Sequence, residues 1–586
     1  MKKSIIKYIA IGVLTLGQVG CQGFLEEVNP NEMSTDSFWK NLDDADAGLI
    51  TVYNAFKNNN VLAIGDENNR SDMTYPGWGR PNTANEYYLQ NFNNGSNTPN
   101  NKWDALNKGI FRANQVIAAV DGLLPTYSDA ASIERATIIK AQAHFFRGLF
   151  YSYLHSSFNE GNVPIYDFVP QDESEFYQPI QPAQKVKEFF RQDLEYALAN
   201  LPYKWTANKD LGRVTAGAAA AVLGQSYLYE NDYAKAADYF KDVIENPNYG
   251  YALAPSIGDN FTSKNEFNRE SILEISYTLA FKSEINPGAE EQVSSNLNFM
   301  VSPVGGYRSV YPSCWLIMAY KKEEMDLNDE RNYVIDATTG TRRLRSYSLR
   351  TSYSIALPDD LDTPYYQLTT AQATAFNNGE TSYFRKYSNW DIVKNEKDIQ
   401  PTQRSAVNVR VIRLADIYLM YAECLIKGGS DEAGVAQAIK YINKVRHRSA
   451  LKLIGLAAGS EFPAATHDGI TYNATKLMDH LMYIERPLEL SLEGHATRVI
   501  DMRRWGITKQ RFADLATKVY YGEHFPFKDV AGKDVTRWAS VLTEGKKATY
   551  KEMTDYTQAA QNFVESAHSY WPLPNSELIT NPAVNQ

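Results

Sequence analysis

Polar and aromatic side chains are interleaved over residues 66–78, in a segment that Pro76, Gly77 and Gly79 keep out of regular structure. The side chains concerned are Asp66, Asn68, Arg70, Asp72, Tyr75 and Trp78. Carboxylates accept and guanidinium groups donate several hydrogen bonds, while Tyr and Trp offer flat apolar faces. A sugar ring has a C–H face and a rim of hydroxyl groups, so it needs both kinds of partner. The segment therefore predicts a carbohydrate-binding surface.

A second group of similar composition occurs much later in the chain. It consists of Tyr311 and Trp315, supported by Arg385 and Trp390. We expect the two groups to form one oligosaccharide site, in which stacking supplies contact area and polar groups fix orientation. The structural alternative is that Trp78 and Trp315 are half-buried anchors of their loops.

Recognisable catalytic motifs are missing from the sequence. It has no H-E-x-x-H, G-x-S-x-G, Walker loop or C-x-x-C. The acidic run Asp326-x-Asn328-x-Glu330 lacks the glycine of a calcium loop. We therefore expect no metal, no cofactor and no enzymatic activity. A carboxylate pair for glycoside hydrolysis stays open, because its spacing is spatial rather than sequential.

Composition narrows the class of protein further. The 586 residues carry a net charge of -10 and no Lys/Arg-rich block, which argues against a nucleic-acid partner. The three cysteines, Cys21, Cys314 and Cys424, are far apart, so a disulfide framework is not expected. The 39 tyrosines suit a sugar-binding surface and equally a large, wet, loop-rich one.

The N-terminus has the pattern of an export signal. Lys2, Lys3 and Lys7 precede an apolar run over residues 9–19, which is too short to span a bilayer, and Gly20-Cys21 follows. This arrangement resembles a bacterial lipoprotein signal cut before Cys21, although Gln18 departs from the usual branched apolar residue. The alternative is an ordinary secretory peptide. No later run is long enough to cross a membrane.

Helical periodicity is strong in the segments 102–123, 133–158, 185–201, 213–245 and 411–448. The last two are predicted to be helix pairs, broken at 230–232 and at 428–430. The first of these pairs fits a tetratricopeptide repeat. The matching residues are Leu223, Gly224, Tyr227, Ala236, Phe240 and Pro247. The stretches 58–101 and about 255–401 are instead rich in turn-forming residues and predict functional loops with small strands.

Several separated motifs follow one another in a specific order. They are Phe24-Leu25-Glu26 with Asn29-Pro30, KGIFRANQVI at 108–117, AQAHFFRGLFYSYL at 141–154, IRLADIYLMYAECL at 412–425, IERPLELSLEGHATRVIDMRRWG at 484–506, and the closing WPLPNSELITNPAVNQ. Over nearly the whole chain after Cys21, this order resembles the SusD/RagB family of Bacteroidetes outer-membrane lipoproteins.

The resemblance implies a mainly α fold in one compact body, with four tetratricopeptide-like helical pairs and a loop-rich ligand-binding region containing small strands. Residues 1–20 would be the signal peptide and 21–586 one SusD-like domain. Its expected parts are a helical scaffold at about 36–57, 102–250 and 405–510, loop-rich portions at about 58–101 and 255–404, and a C-terminal segment, 511–586, that packs on the body.

The resemblance also implies a role. Family members are lipid-anchored to the outer membrane, face the exterior, and pass oligosaccharides to a SusC-like TonB-dependent barrel. Glu26-Glu27 fit the acidic export signal of such surface lipoproteins. Two alternatives stay open: a RagB-like protein that captures peptides, and a surface glycoside hydrolase.

Several arginines in these motifs have a structural interpretation. They are Arg147, Arg413, Arg486, Arg503 and Arg504, which lie on or beside apolar helices. We expect them to pair with carboxylates inside the protein rather than with ligand. The candidate partners are Glu423, Glu485, Glu489 and Asp501.

Overall fold

Helices account for about half of the chain in the computed structural model, which describes residues 38–77, 79–280, 293–336, 339–377, 379–428 and 432–585. The predicted signal peptide, Cys21 and Trp78 lie outside these residues. In chain order the helices are α1 Leu42–Phe56, α2 Asn59–Leu62, α3 Ile64–Asn69, α4 Asn97–Leu123, α5 Ala130–Ser157, α6 Ala183–Asn200, α7 Ala216–Leu228, α8 Tyr233–Glu245, α9 Leu297–Val301, α10 Cys314–Lys321, α11 Leu349–Ser354, α12 Thr370–Ala373, α13 Leu414–Gly428, α14 Glu432–Arg448, α15 Ala474–His480, α16 Arg486–Leu490, α17 Thr497–Arg504, α18 Thr508–Ala516, α19 Thr557–Asn562, α20 Glu565–His568 and α21 Asn575–Thr580.

The long helices form a continuous stack of pairs. α1 packs on α4, α4 on α5, α5 on α6, α6 on α7, α7 on α8, α8 on α13, and α13 on α14. Two glycines allow close approach within this stack. A Cβ at Gly109 would lie 2.4 Å from the Phe150 ring, and one at Gly224 would lie 2.6 Å from the Phe240 ring. The predicted mainly α fold, a scaffold of helical pairs in a single body, is confirmed.

The predicted helix boundaries lie within five residues of the observed ones; α4 begins at Asn97 rather than 102, and α5 at Ala130 rather than 133. One segment differs in kind. The segment 411–413 was expected to open a helix, but it belongs to strand β10, and α13 begins at Leu414. Ile412 pairs with Leu273 of β4, and Val411 lies at an irregularity of the register. Both are buried β-branched residues, which favours a strand there.

Short strands join the loop-rich portions to this scaffold. They are β1 Thr74–Pro76, β2 Val163–Pro164, β3 Ile180–Gln181, β4 Ser271–Ile275, β5 Val310–Pro312, β6 Tyr333–Ile335, β7 Arg342–Leu344, β8 Ile355–Ala356, β9 Tyr383–Phe384, β10 Val409–Arg413, β11 Tyr520–Lys528, β12 Asp534–Thr543 and β13 Lys551–Met553. β11 lies between β12 and β13, and the other strands pair two by two, all antiparallel.

Buried ion pairs connect the scaffold to the loops around Arg413. Its guanidinium donates to Glu270 at 2.7 Å, to Glu489 at 2.7 Å and to Glu493 at 2.6 Å, and all four side chains are almost fully buried. Arg448, at the end of α14, donates to Glu270 at 3.0 Å and also contacts Glu489. We call Arg413, Arg448, Glu270, Glu489 and Glu493 the ionic core.

Four of the five motif arginines pair with carboxylates inside the protein, as predicted, and three of these use the candidate partners. Arg413 pairs with Glu489, Arg486 with Asp501, and Arg504 with both Glu423 and Asp501. The other two do not use the candidate partners. Arg147 pairs with Asp193 on α6, and Arg503 donates to the carbonyl oxygens of Ser156 and Ser569.

Removing Arg413 would leave three carboxylates buried without their shared cation. We expect Arg413→Met to lower the free energy of unfolding by about 3 to 5 kcal/mol, measured by chemical denaturation. The matched control is Arg135→Met, because Arg135 pairs with Asp43 at the surface, where loss of a pair costs about 0 to 1 kcal/mol. Equal stability losses in the two variants would contradict the structural role of the ionic core.

Candidate functional site

The two predicted stretches meet in the structure, although more than two hundred residues separate them. Strand β1 pairs with β5, which places Tyr75 opposite Tyr311, with their rings stacked at 5.5 Å between centroids. The Ser313 amide donates to the Met73 carbonyl at 3.1 Å, and the Trp315 indole N–H donates to the Asp72 carbonyl.

Most of the predicted side chains point inward at this junction. Those that are buried are Asn68, Arg70, Asp72, Tyr75, Tyr311, Trp315 and Arg385. Asp72 shows why: Arg498 and Arg511 donate to its carboxylate, each Nε lying 2.7 Å from a carboxylate oxygen. Burial alone would raise the pKa of Asp72, but these two arginines hold it at about 2. The carboxylate is therefore charged and fully engaged within the protein.

Two predicted arginines, Arg70 and Arg385, also bind groups within the protein, namely backbone carbonyl oxygens and aromatic rings. Arg70 donates to the His568 carbonyl at 2.9 Å, and its guanidinium lies 4.0 Å from the centre of the Trp571 ring. Arg385 donates to the Pro364 carbonyl at 2.6 Å, and its guanidinium lies 5.0 Å from the half-buried Trp390 ring. Their contact with a ligand stays a prediction, as it does for Trp78.

An open cleft of about 410 Å³ lies beside the β1–β5 pair. Seven side-chain amides line it beside apolar groups, and we call it the amide cleft. The amides belong to Asn59, Asn60, Asn69, Asn82, Asn85, Asn296 and Gln403. Its apolar lining includes Ile64, Phe299 and Met300, and Asp66 is the charged side chain among the described lining residues. An amide both donates and accepts, so the cleft matches the hydroxyl groups of a sugar.

The amides are held in place by their own hydrogen bonds. The Asn59 side chain donates to the Asn296 side chain at 2.9 Å and so joins α2 to the residue before α9. The Asn82 oxygen accepts from the backbone N–H groups of Ala84 and Asn85, and its NH₂ group donates to the Gly77 carbonyl at 2.8 Å. A preformed set of amides loses little conformational freedom when a ligand binds.

Tyr307 supplies an aromatic surface at the cleft. Its side chain is 47% exposed, and its ring packs edge-on against Phe299 with 5.4 Å between centroids. The Gln403 amide donates to the Tyr307 hydroxyl at 2.5 Å, and the Tyr307 backbone N–H donates to the Phe299 carbonyl at 2.6 Å. The ring is thus fixed in orientation and stays about half exposed.

Gly77 allows the two walls of the cleft to approach each other. Its backbone N–H donates to the Ser309 carbonyl at 2.6 Å. A Cβ at this position would lie 2.3 Å from the Arg308 carbonyl oxygen, closer than atoms can pack. Only glycine therefore fits where strand β1 leaves β5.

Asp66 is the predicted residue that does line the cleft. Its half-buried carboxylate accepts a hydrogen bond from the Thr98 hydroxyl at 2.6 Å. Burial raises the pKa of this carboxyl, the Thr98 bond opposes that effect, and the nearby Glu67 and Glu86 raise the pKa further.

Comparison with known proteins agrees with this architecture. A model described as the SusD family matches residues 269–586. The chain belongs to the SusD family. A second model, described as starch-binding associating with outer membrane, matches residues 23–228.

Relatives and solved structures resemble this SusD family member over most of their length. SusD-like protein P25 of Formosa agariphila is 25% identical over 88% of this chain and 92% of its own. A SusD superfamily protein from Bacteroides vulgatus superposes with a TM-score of 0.68 at 22% identity, over 93% of this chain and 98% of its own. A laminarin-binding SusD-like protein superposes with a TM-score of 0.60 at 22% identity, over 93% of this chain and 99% of its own.

A metal centre and a membrane-spanning helix are the other features to consider in this SusD family member. Within the described ranges, no group of three or more His, Cys, Asp or Glu side chains could hold a metal ion. No helix within those ranges is long and apolar enough to cross a membrane. The Asp326 carboxylate accepts from the Asn328 backbone N–H at 3.0 Å, within its own turn.

The sequence did not single out most residues of the amide cleft in this SusD family member. Asn59, Asn82, Asn296, Tyr307 and Gln403 were missed individually. Two signals could have found three of them. The density of asparagine in residues 58–101 points to Asn59 and Asn82, and the position after Gly305-Gly306 points to Tyr307. Asn296 and Gln403 reach the cleft only through tertiary packing.

Trp315 anchors its loop in the protein interior. Its ring is only 8% exposed and lies 4.2 Å from the Arg511 guanidinium. We expect Trp315→Ala to lower the free energy of unfolding by about 3 kcal/mol or more, because it leaves a cavity and removes a buried hydrogen bond. Trp538, which is 70% exposed, is the matched control, and Trp538→Ala should change stability by less than about 0.5 kcal/mol. An unchanged denaturation midpoint for Trp315→Ala would show that the loop does not need this anchor.

Proposed function

We propose that this protein is a cell-surface glycan-binding lipoprotein without enzymatic activity, which captures oligosaccharides and delivers them to a SusC-like TonB-dependent barrel. One observation carries the proposal: in a chain of the SusD family, an open cleft lined by fixed amides ends at an exposed tyrosine ring. Its likeness in fold to a laminarin-binding protein supports the same ligand class.

The chemistry of the cleft favours an uncharged glycan. The exposed ring of Tyr307 would pack on the C–H face of a sugar ring, and the amides would bind the hydroxyl groups on its rim. No arginine or lysine is among the described lining residues, so a uronate or a sulfated sugar would find no counter-charge there. Trp78 follows Gly77 directly in the sequence, and we propose it as a second stacking surface.

The buried predicted residues fit a supporting role in this proposal. Asp72, Tyr75, Tyr311 and Trp315 fix the β1–β5 junction that forms one side of the cleft. Their contribution to binding would then be through the position of the cleft rather than through contact with the sugar.

The described lining of the cleft has fewer carboxyl groups than glycoside hydrolysis usually requires. Most glycoside hydrolases use two carboxyl groups that flank the scissile bond. Asp66 is the one carboxyl among the described lining residues, which supports capture without cleavage. A peptide could also hydrogen-bond to amides, but the exposed ring of Tyr307 favours a sugar.

Loss of the Tyr307 ring should weaken glycan binding selectively. We expect Tyr307→Ala to lower the affinity for a neutral oligosaccharide about thirtyfold, because an aromatic anchor contributes on the order of 2 kcal/mol. The measurement is calorimetric titration with the tightest ligand from a panel of neutral and acidic glycans and peptides. Tyr203→Ala is the matched control, since Tyr203 is 49% exposed and does not line the amide cleft.

Three results would count against this proposal. If the Tyr307 variant binds glycan with wild-type affinity, the cleft is not the binding site. Binding of peptides alone would favour the peptide-capture alternative. Release of reducing ends from the bound glycan by the purified protein would favour the hydrolase.

Attachment and partner can be tested together in native membranes. We expect the wild-type protein to fractionate with the outer membrane and to copurify with a large β-barrel under mild detergent. Cys21→Ala should release soluble protein or leave an uncleaved precursor, because stable anchoring requires the acyl chains. Recovery of the wild-type protein without a β-barrel would overturn the proposed partner. Continued acylation of the Cys21 variant would overturn the proposed lipid anchor.

A further inference from the structure

A second cavity, of about 100 Å³, lies among the scaffold helices and shares no lining residue with the amide cleft. Helices α5, α6 and α7 form one side of it, and β10 and α17 form the other. Its polar lining includes Tyr153, His155, Lys187, Tyr229, Glu230 and Arg503. Because liquid water occupies about 30 Å³ per molecule, the cavity has room for a ligand of about three water volumes.

Arg503 brings a positive charge into this cavity without a carboxylate partner. Two of its N–H groups donate to the Ser156 carbonyl at 2.7 Å and to the Ser569 carbonyl at 3.1 Å, and its guanidinium lies 3.7 Å from the Tyr570 ring centre. In the part of the chain that the structure describes, no Asp or Glu lies within ion-pair distance of it. Arg503 is half-buried, and a partly desolvated charge without a carboxylate partner attracts an anion.

The surrounding charges add to the positive field. Lys187 and Arg191, both on α6, share the single carboxylate of Glu230. Burial, followed by Lys187, Arg503 and Arg191, lowers the pKa of His155 to about 4, and Glu230 opposes them. Two permanent cations, Lys187 and Arg503, and one carboxylate, Glu230, therefore line the cavity itself.

Two tyrosine hydroxyl groups offer further hydrogen bonds. Tyr153 is 6% exposed, and its ring is stacked on His495 with 3.6 Å between centroids. Among the described residues neither the Tyr153 hydroxyl nor the Tyr229 hydroxyl has a hydrogen-bond partner, although both residues line the cavity. Neither hydroxyl oxygen is fully buried, so both are accessible from the cavity and can donate to a ligand there.

We propose that this cavity binds one small oxyanion, such as phosphate, sulfate or a short carboxylate. Arg503 supplies the charge and its remaining N–H groups, and the Tyr153 and Tyr229 hydroxyl groups donate to the oxygens of the anion. The bound ion would balance the excess positive charge and join α5 to α17 and to the C-terminal segment at Ser569. This site is independent of glycan capture.

The test is calorimetric titration of the mature full-length protein with sodium phosphate, sulfate and acetate, with sodium chloride at matched ionic strength as the reference. We expect saturable binding of one ion per chain for at least one oxyanion and none for chloride. Tyr153→Phe, which keeps the ring on His495, should weaken binding about fivefold, and Arg503→Met should weaken it more than tenfold. Tighter phosphate or sulfate binding would identify an inorganic ion, and tighter acetate binding a carboxylate.

The amide-cleft variant Tyr307→Ala is the matched control and should bind the oxyanion like the wild type. If Arg503→Met does not fold, Tyr153→Phe decides the question alone. The proposal is overturned if none of the three oxyanions binds saturably, or if the folded variants bind them with wild-type affinity.

Discussion

Charge buried between the helical scaffold and the loops is the constraint on which the rest of this structure depends. Arg413 ends strand β10, Glu270 precedes β4, and Glu489 lies on α16, so one guanidinium fixes three distant parts of the chain. Burial would raise the pKa of Glu489, but Arg448, Arg413 and Arg350 hold it at about 2. Since desolvation offsets much of the attraction, such a network adds less to stability than to the choice of one arrangement.

A second ionic contact fixes the cleft in the same way. Asp72 lies just before β1 and receives Arg498 from α17 and Arg511 from α18. This contact ties the loop 58–101 to the end of the scaffold, and β1 then pairs with β5. The cleft lies beside that pair, so its geometry depends on buried charge even though its own lining is nearly neutral.

The sequence predicted the scaffold well because helical periodicity is a local signal. The apolar stripe of 102–123, the break after Tyr229, and the small residue Gly224 are all readable without knowledge of the fold. Side-chain direction in residues 66–78 could not be read in this way. Asp72 faces inward because arginines more than four hundred residues away reach it, and Tyr75 faces inward because β5 pairs with its strand. The alternation of polar and aromatic residues pointed to the part of the chain beside the cleft, but mainly to side chains that support the cleft rather than line it.

The most direct test of oligosaccharide capture at the amide cleft is hydrogen–deuterium exchange, measured by mass spectrometry with and without a saturating neutral glycan. We expect slower exchange in residues 59–85 and 296–310 and around Gln403, with helices α7 and α8 unchanged. Protection confined to another surface, such as the groove at residues 435–472, with none at the cleft, would contradict it.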